Sequence, residues 1–166
     1  IGIGIIILGY ILMAGGGSLG PVEPLAAIKE KFPEADYLCV TTRSGPELAF
    51  LKNRGIRTVS ISAGKLRRYV SWKNITDILN FIIGFFQSLY IVANYRPDII
   101  LTAGGFVAVP VVIAGRLLGK KIFVHQQDLE MGLANKIMAP FATKITVTFE
   151  HQLRMFPPAK AIYTGN

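Results

Sequence analysis

The feature that most constrains this chain is Gly15-Gly16-Gly17-Ser18-Leu19-Gly20, which follows an apolar run ending at Ala14 and leads into a helical pattern. Gly15, Gly17 and Gly20 fit G-x-G-x-x-G at a strand-to-helix junction, the setting that gives this spacing its physical content. Glycine lets the backbone approach an anion closely, and the N–H groups of the helix's first turn then point at that anion. Such a loop after the first strand predicts an α/β domain on parallel strands.

The rest of the chain repeats the alternation. Short apolar runs predict strands at 6–14, 37–41, 58–61, 99–102, 122–125, 144–147 and 161–164. Continuous rather than alternating apolarity indicates strands covered on both faces. Helices are predicted at 22–31, 46–54, 74–94, 107–118, 132–139 and 149–155. Pro24 falls in a first turn, where its missing N–H costs nothing. Gly55 stops the second helix. Alternating strands and helices form right-handed βαβ units, giving a Rossmann-like open parallel sheet with helices on both faces. With 166 residues, one domain is expected over 1–166.

Composition narrows the function class. Cys39 is the only cysteine, so there is no disulfide framework and no cysteine-based zinc site. A reducing, cytosolic compartment fits. No second histidine or carboxylate cluster with metal spacing occurs in the sequence. The net charge is +8 and 51% of residues are hydrophobic. The charge points to an anionic partner, and the combination points to a membrane surface rather than nucleic acid. The apolar stretch 1–14 is shorter than the ~20 residues a spanning helix needs. It also lacks the basic start and cleavage site of a signal peptide. The last residues read as a strand interrupted at its exit.

Two further loops follow strands and so face the same sheet edge. Thr102-Ala103-Gly104-Gly105-Phe106 is a second strand–glycine–helix turn, and two such loops suit the two phosphates of a diphosphate. His125-Gln126-Gln127-Asp128 precedes Gly132-Leu133-Ala134-Asn135-Lys136. Four polar side chains at a strand end are expected over a crevice. His125 reads as a base, a ligand or a satisfied structural group, and Gln127 and Asp128 suit sugar hydroxyls. The second strand ends Val40-Thr41-Thr42-Arg43, without the acid that reads a dinucleotide ribose. Arg43 keeps an NADP-binding alternative open, as a reader of a 2′-phosphate.

A basic loop carrying Lys65, Arg67 and Arg68, with Trp72 and Lys73 behind it, precedes the long helix. One apolar stripe of that helix is Ile75, Ile78, Leu79, Ile82, Ile83, Phe86, Leu89, Tyr90 and Ala93. It is expected to pack on the core. Phe81, Phe85 and Val92 lie off it, and Phe81 and Phe85, with Trp72, are expected to meet lipid beside the basic residues.

Taken in order, Gly15 to Pro24, Ile61 to Arg68, Arg96-Pro97-Asp98, Gly104 to Val107, His125 to Asp128, Gly132 to Lys136 and Thr164-Gly165-Asn166 resemble the N-terminal half of a glycosyltransferase family. These are the undecaprenyl-diphospho-muramoylpentapeptide β-N-acetylglucosaminyltransferases, or MurG-like enzymes, of family 28 and GT-B fold. The resemblance implies a hexosyltransferase of peptidoglycan synthesis that moves N-acetylglucosamine from UDP-N-acetylglucosamine to lipid I, giving lipid II. It implies a peripheral protein on the cytoplasmic face of the cell membrane, with site chemistry that needs no metal or cofactor. It places Ser18, Leu19, Gly20 and Asp128 on the donor side. It places Gly16, Gly17, Gly104, Gly105, Phe106, Gln127 and Asn135 around the acceptor and its diphosphate. The donor-binding domain lies outside this sequence, in a longer chain or a separate subunit. In the latter case this half is a non-catalytic membrane anchor. The sequence departs from the family pattern twice. Pro21 stands at the place of a histidine that is a candidate base, which leaves His125 as a substitute. The family's His-Glu-Gln-Asn appears as His125-Gln126-Gln127-Asp128.

Overall fold

The computed structural model describes residues 9–64 and 73–165. Its strands are β1 (Tyr10–Ala14), β2 (Asp36–Thr41), β3 (Arg57–Ser60), β4 (Ile99–Thr102), β5 (Lys121–Gln126), β6 (Lys144–Val147) and β7 (Ala161–Tyr163). Its α-helices are α1 (Glu23–Lys31), α2 (Pro46–Asn53), α3 (Lys73–Tyr95), α4 (Ala108–Leu117) and α5 (Leu133–Met138). The segment Glu150–Met155, predicted as a helix, is a 3-10 helix.

The strands form one sheet in the order β3-β2-β1-β4-β5-β6-β7, every pair parallel. That is a doubly wound Rossmann-like sheet. The chain reverses its direction of travel between β1 and β4, so the loops leaving these two adjacent strands diverge to opposite faces and open a crevice. The first follows β1 and leads to α1; the second follows β4 and leads to α4. Sequence alone supplied both loops, but the strand order makes them neighbours.

Two cores hold the layers. On one face Leu12, Ala14, Val40, Ile100, Ile122, Val124, Ile145 and Val147 pack with α4, Val92 of α3 and Met138 of α5. On the other, Met13, Cys39 and Leu101 pack with Leu25 and Ala26 of α1 and Leu51 of α2. Cys39 is buried as expected, and burial pushes its thiol up to about 12. Full two-sided burial is a property of the middle of the sheet. β3 and β7, the edge strands, are largely exposed, because an edge has a neighbour on one side only.

The long helix corrects the sequence reading. The stripe expected to face the core is the exposed one: Ile78, Leu79, Ile82, Ile83, Phe86 and Tyr90 are all solvent-facing, Phe86 at 63%. Phe81, expected against lipid, is half-buried and packs on the core, where Val92 is fully buried. Phe85 is half-buried and meets Phe86 edge-to-face. The reason is the row of small residues on the inward face. A Cβ on Gly84 would lie 1.9 Å from the Ser62 carbonyl oxygen, so the helix seats directly on the loop after β3. One turn on, Ser88 is buried and donates to the Gly84 carbonyl at 2.7 Å. Gln87 Oε1 accepts the Ser62 N–H at 2.7 Å. Apolarity cannot orient a helix that is apolar on two sides; close approach can. Lys65, Arg67, Arg68 and Trp72 lie outside the described residues.

Candidate functional site

The crevice at the β1/β4 switch point is a cavity of about 190 Å³. Ser18, Gly20 and Pro21 come to it from the first loop, Gly104 and Gly105 from the second, and Gln127, Asp128 and Asn135 from the segment after β5. The three motifs read separately in the sequence thus converge. The glycine loops touch: a Cβ on Gly105 would stand 2.9 Å from the Gly16 carbonyl oxygen and 3.7 Å from the Pro21 ring. Gly105 also has φ +88°, a conformation that penalises any other residue.

The third loop is held from below by buried amides. Gln126 is completely buried, not displayed as the sequence suggested. Its Nε2 donates to the carbonyls of Asp128 (2.7 Å) and Glu130 (3.0 Å). Gln152, equally buried, donates to the same Asp128 carbonyl at 2.5 Å. Asn135 Nδ2 donates to Gln126 Oε1 at 2.7 Å. The Asn135 Oδ1 is buried without a partner among the described residues and lies against Gly104. Buried amides that donate to the loop's own carbonyls in this way hold it rigid. Gln127 is therefore held half-buried, and Asp128 is presented to the crevice. Sequence reading missed Gln152, which has no local motif and meets the loop only in the folded chain.

His125 is not among the residues lining this crevice. Side chains alternate along β5, so His125 shares a face with Phe123, opposite the buried Val124 and Gln126. Its Nδ1 pairs with the Thr146 hydroxyl at 2.8 Å and its Nε2 with the Thr148 hydroxyl at 3.3 Å. Burial holds its pKa below the usual histidine range, so it is neutral at neutral pH. The satisfied structural histidine weighed for this position describes it.

Four other residues of the two glycine loops are engaged within the fold. The Gly17 N–H is already committed, donating to Glu47 Oε1 at 3.0 Å. Gly16 faces inward, where a Cβ would meet Thr41 Oγ1 at 2.6 Å. Leu19 accepts the Val22 and Glu23 N–H groups, both at 3.0 Å, and so starts α1. Phe106 is half-buried and packs on the core under α4. A second, larger cavity of about 350 Å³ lies on the other side of the first loop, lined by Gly17, Thr42, Arg43, Ser44, Ser62 and Asn80 among others. Arg43, the possible 2′-phosphate reader, belongs to this second cavity. No group of three or more His, Cys, Asp or Glu side chains that could hold a metal occurs among the described residues.

Residues 11–147 match the family described as the glycosyltransferase family 28 N-terminal domain. The chain belongs to that family. The glycine loop is thus one of a glycosyltransferase family, which sets the dinucleotide reading aside. The chain is 39% identical over 157 residues to a UDP-N-acetylglucosamine--N-acetylmuramyl-(pentapeptide) pyrophosphoryl-undecaprenol N-acetylglucosamine transferase of Clostridium kluyveri, covering 93% of this chain and 44% of the relative. A protein of the same name from Streptococcus pyogenes is 42% identical over 148 residues, with 86% and 41% covered. Among solved structures, Acinetobacter baumannii MurG superposes with a TM-score of 0.78 at 21% identity, over 94% of this chain and 45% of that one. UDP-GlcNAc 2-epimerase from Neisseria meningitidis, bound to UDP-GlcNAc, superposes at 0.67 with 14% identity, over 95% and 46%. These superpositions show the fold. The chain spans under half the length of the curated relatives it matches.

Proposed function

We propose that this chain is the acceptor-binding half of a transferase that moves N-acetylglucosamine from UDP-N-acetylglucosamine to the muramoyl 4-hydroxyl of lipid I, giving lipid II. The convergence of Ser18, Gly20, Gly104, Gly105, Gln127, Asp128 and Asn135 on one crevice carries this reading. Backbone N–H groups at two loop-to-helix junctions stabilise the diphosphates of an acceptor and a leaving UDP, where negative charge develops. The donor-holding domain is supplied by the rest of a longer protein or by a partner subunit.

Glycosyl transfer removes a proton from the attacking hydroxyl. Proline cannot take it, so the histidine-like role is vacant at Pro21, and both ring nitrogens of His125 are engaged elsewhere. Asp128 is the carboxylate that lines the crevice. It is the group placed to accept that proton as the C–O bond to the acceptor forms and the UDP–sugar bond breaks.

The exposed apolar stripe of α3 is the membrane-facing surface in this reading. α3 is the one helix among the described residues long and apolar enough to cross a membrane by length and composition. We assign it to lie on the cytoplasmic face, with its inward side committed to the core and its outward side in the lipid interface. The basic residues Lys65, Arg67 and Arg68 precede it in sequence and suit anionic headgroups. The deciding experiment supplies labelled UDP-N-acetylglucosamine and lipid I to the full-length protein containing this chain. Formation of labelled lipid II is expected. Absence of transfer to lipid I, with UDP-N-acetylglucosamine bound normally, overturns the acceptor assignment.

A further inference from the structure

Among the described residues, Glu47 is the only charged side chain with no exposure to solvent. It sits in the first turn of α2, where an acid is favourable to the helix but needs no burial. Its contacts lie elsewhere. Oε1 accepts three hydrogen bonds, from the Gly17 N–H (3.0 Å), Thr41 Oγ1 (3.0 Å) and Thr42 Oγ1 (2.5 Å). Oε2 is buried without a partner among the described residues. A cap for α2 does not require a bond to a loop thirty residues earlier in the chain. Burying a carboxylate is costly, and here it joins three segments at one oxygen: the first glycine loop, the end of β2 and the start of α2.

We propose that Glu47 is a positioning residue that shapes the acceptor side of the site by fixing the first glycine loop from beneath. Gly17 is held at φ +86° by its bond to the carboxylate. Gly17 and Thr42, both tied to the same oxygen, form adjoining walls of the 350 Å³ cavity. That cavity also reaches Ser62, on which α3 is seated, and Asn80 of α3 itself. It therefore lies between the first glycine loop and α3, the helix whose outward face is assigned to the membrane from which a lipid-linked acceptor arrives. The inference rests on the transferase reading above for the identity of that ligand. Burial alone raises the Glu47 pKa. The bonds from Thr42, Gly17 and Thr41 outweigh it, hold the carboxyl below its ordinary value and keep it ionised at neutral pH.

The test is Glu47→Gln in the full-length protein, read by two independent measurements. The first is the Gly17 amide proton resonance, which lies downfield when its partner is a carboxylate and moves upfield in the variant. The second is steady-state kinetics with lipid I and UDP-N-acetylglucosamine. Loss of a charge-assisted bond at this wall raises the KM for lipid I by about tenfold and leaves the KM for the donor within about twofold. If the Gly17 resonance is unmoved, or if both KM values rise together, the positioning role is wrong. If the unsubstituted protein transfers no sugar, the transferase reading fails while the resonance still reports the tether. Should Glu47→Gln not fold, Gly45→Ala serves instead. Gly45 has extended backbone, and its new Cβ would fall 2.1 Å from Glu47 Oε2, displacing the carboxylate. The same resonance shift and the same split between the two KM values are expected, and their absence overturns the proposal.

Discussion

Gly105 lies against Gly16 so closely that a Cβ on the former would stand 2.9 Å from the carbonyl oxygen of the latter. This single approach joins the loop after β1 to the loop after β4. It makes a continuous backbone wall of two turns whose glycines, Gly16 and Gly105, lie 89 residues apart in sequence.

Gly105→Ala tests the wall. The substitution meets both a left-handed backbone and a backbone clash, and the two effects add. We expect a loss of about 2–3 kcal/mol in unfolding free energy, measured by urea denaturation, from strain of 1–3 kcal/mol and little room to relax. Transferase activity of the full-length protein falls by more than tenfold. A stable, fully active variant refutes the close approach.

Asp128→Asn tests proton acceptance. The side chain is presented by a loop that Gln126 and Gln152 hold through the backbone, so the asparagine variant keeps its place. We expect kcat to fall about a hundredfold, the range of general base catalysis, with KM for either substrate changed little. His125→Phe, by contrast, leaves kcat within about fivefold. Equal losses in the two variants reject the assignment.

The pH dependence of stability reports on His125. Its folded pKa is depressed by burial below the ordinary 6.5, so the unfolded chain binds the proton more readily. Stability is therefore full above about 6.5 and declines as pH falls through that value towards the folded pKa. In His125→Phe that segment of the profile flattens. Chemical denaturation between pH 5 and pH 8 measures it, and identical slopes with and without the histidine contradict burial as the cause.

Gln126→Glu tests the buried amide network. A glutamate turns two donated hydrogen bonds, to the Asp128 and Glu130 carbonyls, into repulsion between acceptors. A buried site that loses its donors costs roughly 1–3 kcal/mol. Thermal unfolding is expected to show this together with reduced activity, because the loop presenting Asp128 is loosened. Unchanged stability implies that the glutamine is not the tether.

Vesicle flotation tests the outward face of α3. Ile82→Asp with Phe86→Asp removes two exposed apolar side chains, each worth roughly 1.5–3 kcal/mol when buried in lipid, and leaves the fold intact. We expect flotation with anionic vesicles to be lost at unchanged stability. Phe81→Ala has the opposite signature. It keeps flotation and costs about 2 kcal/mol of stability, below the usual cost of truncating a core phenylalanine because the ring is only half-buried.

What the sequence by itself determined is everything that depends on local order. The alternation of apolar runs and helical periods fixed the parallel α/β class, because these patterns repeat over a few residues and need no partner to be read. The glycine spacing at Gly15–Gly20 and Gly104–Gly105 marked the loops, and the resemblance carried by the motifs in order identified the family. Tertiary structure decided which way things face. The long helix is apolar on two sides, so its orientation depended on Gly84 permitting contact with Ser62, with Ser88 buried one turn on and bonded to the Gly84 carbonyl. His125 and Gln126 are consecutive polar residues, yet the pleat sends one to Thr146 and Thr148 and buries the other under the Asp128 loop. Glu47 carries no motif and gains its meaning only where β2, α2 and the first glycine loop meet. A side chain's role is set by what packs against it, and those neighbours come from distant parts of the chain.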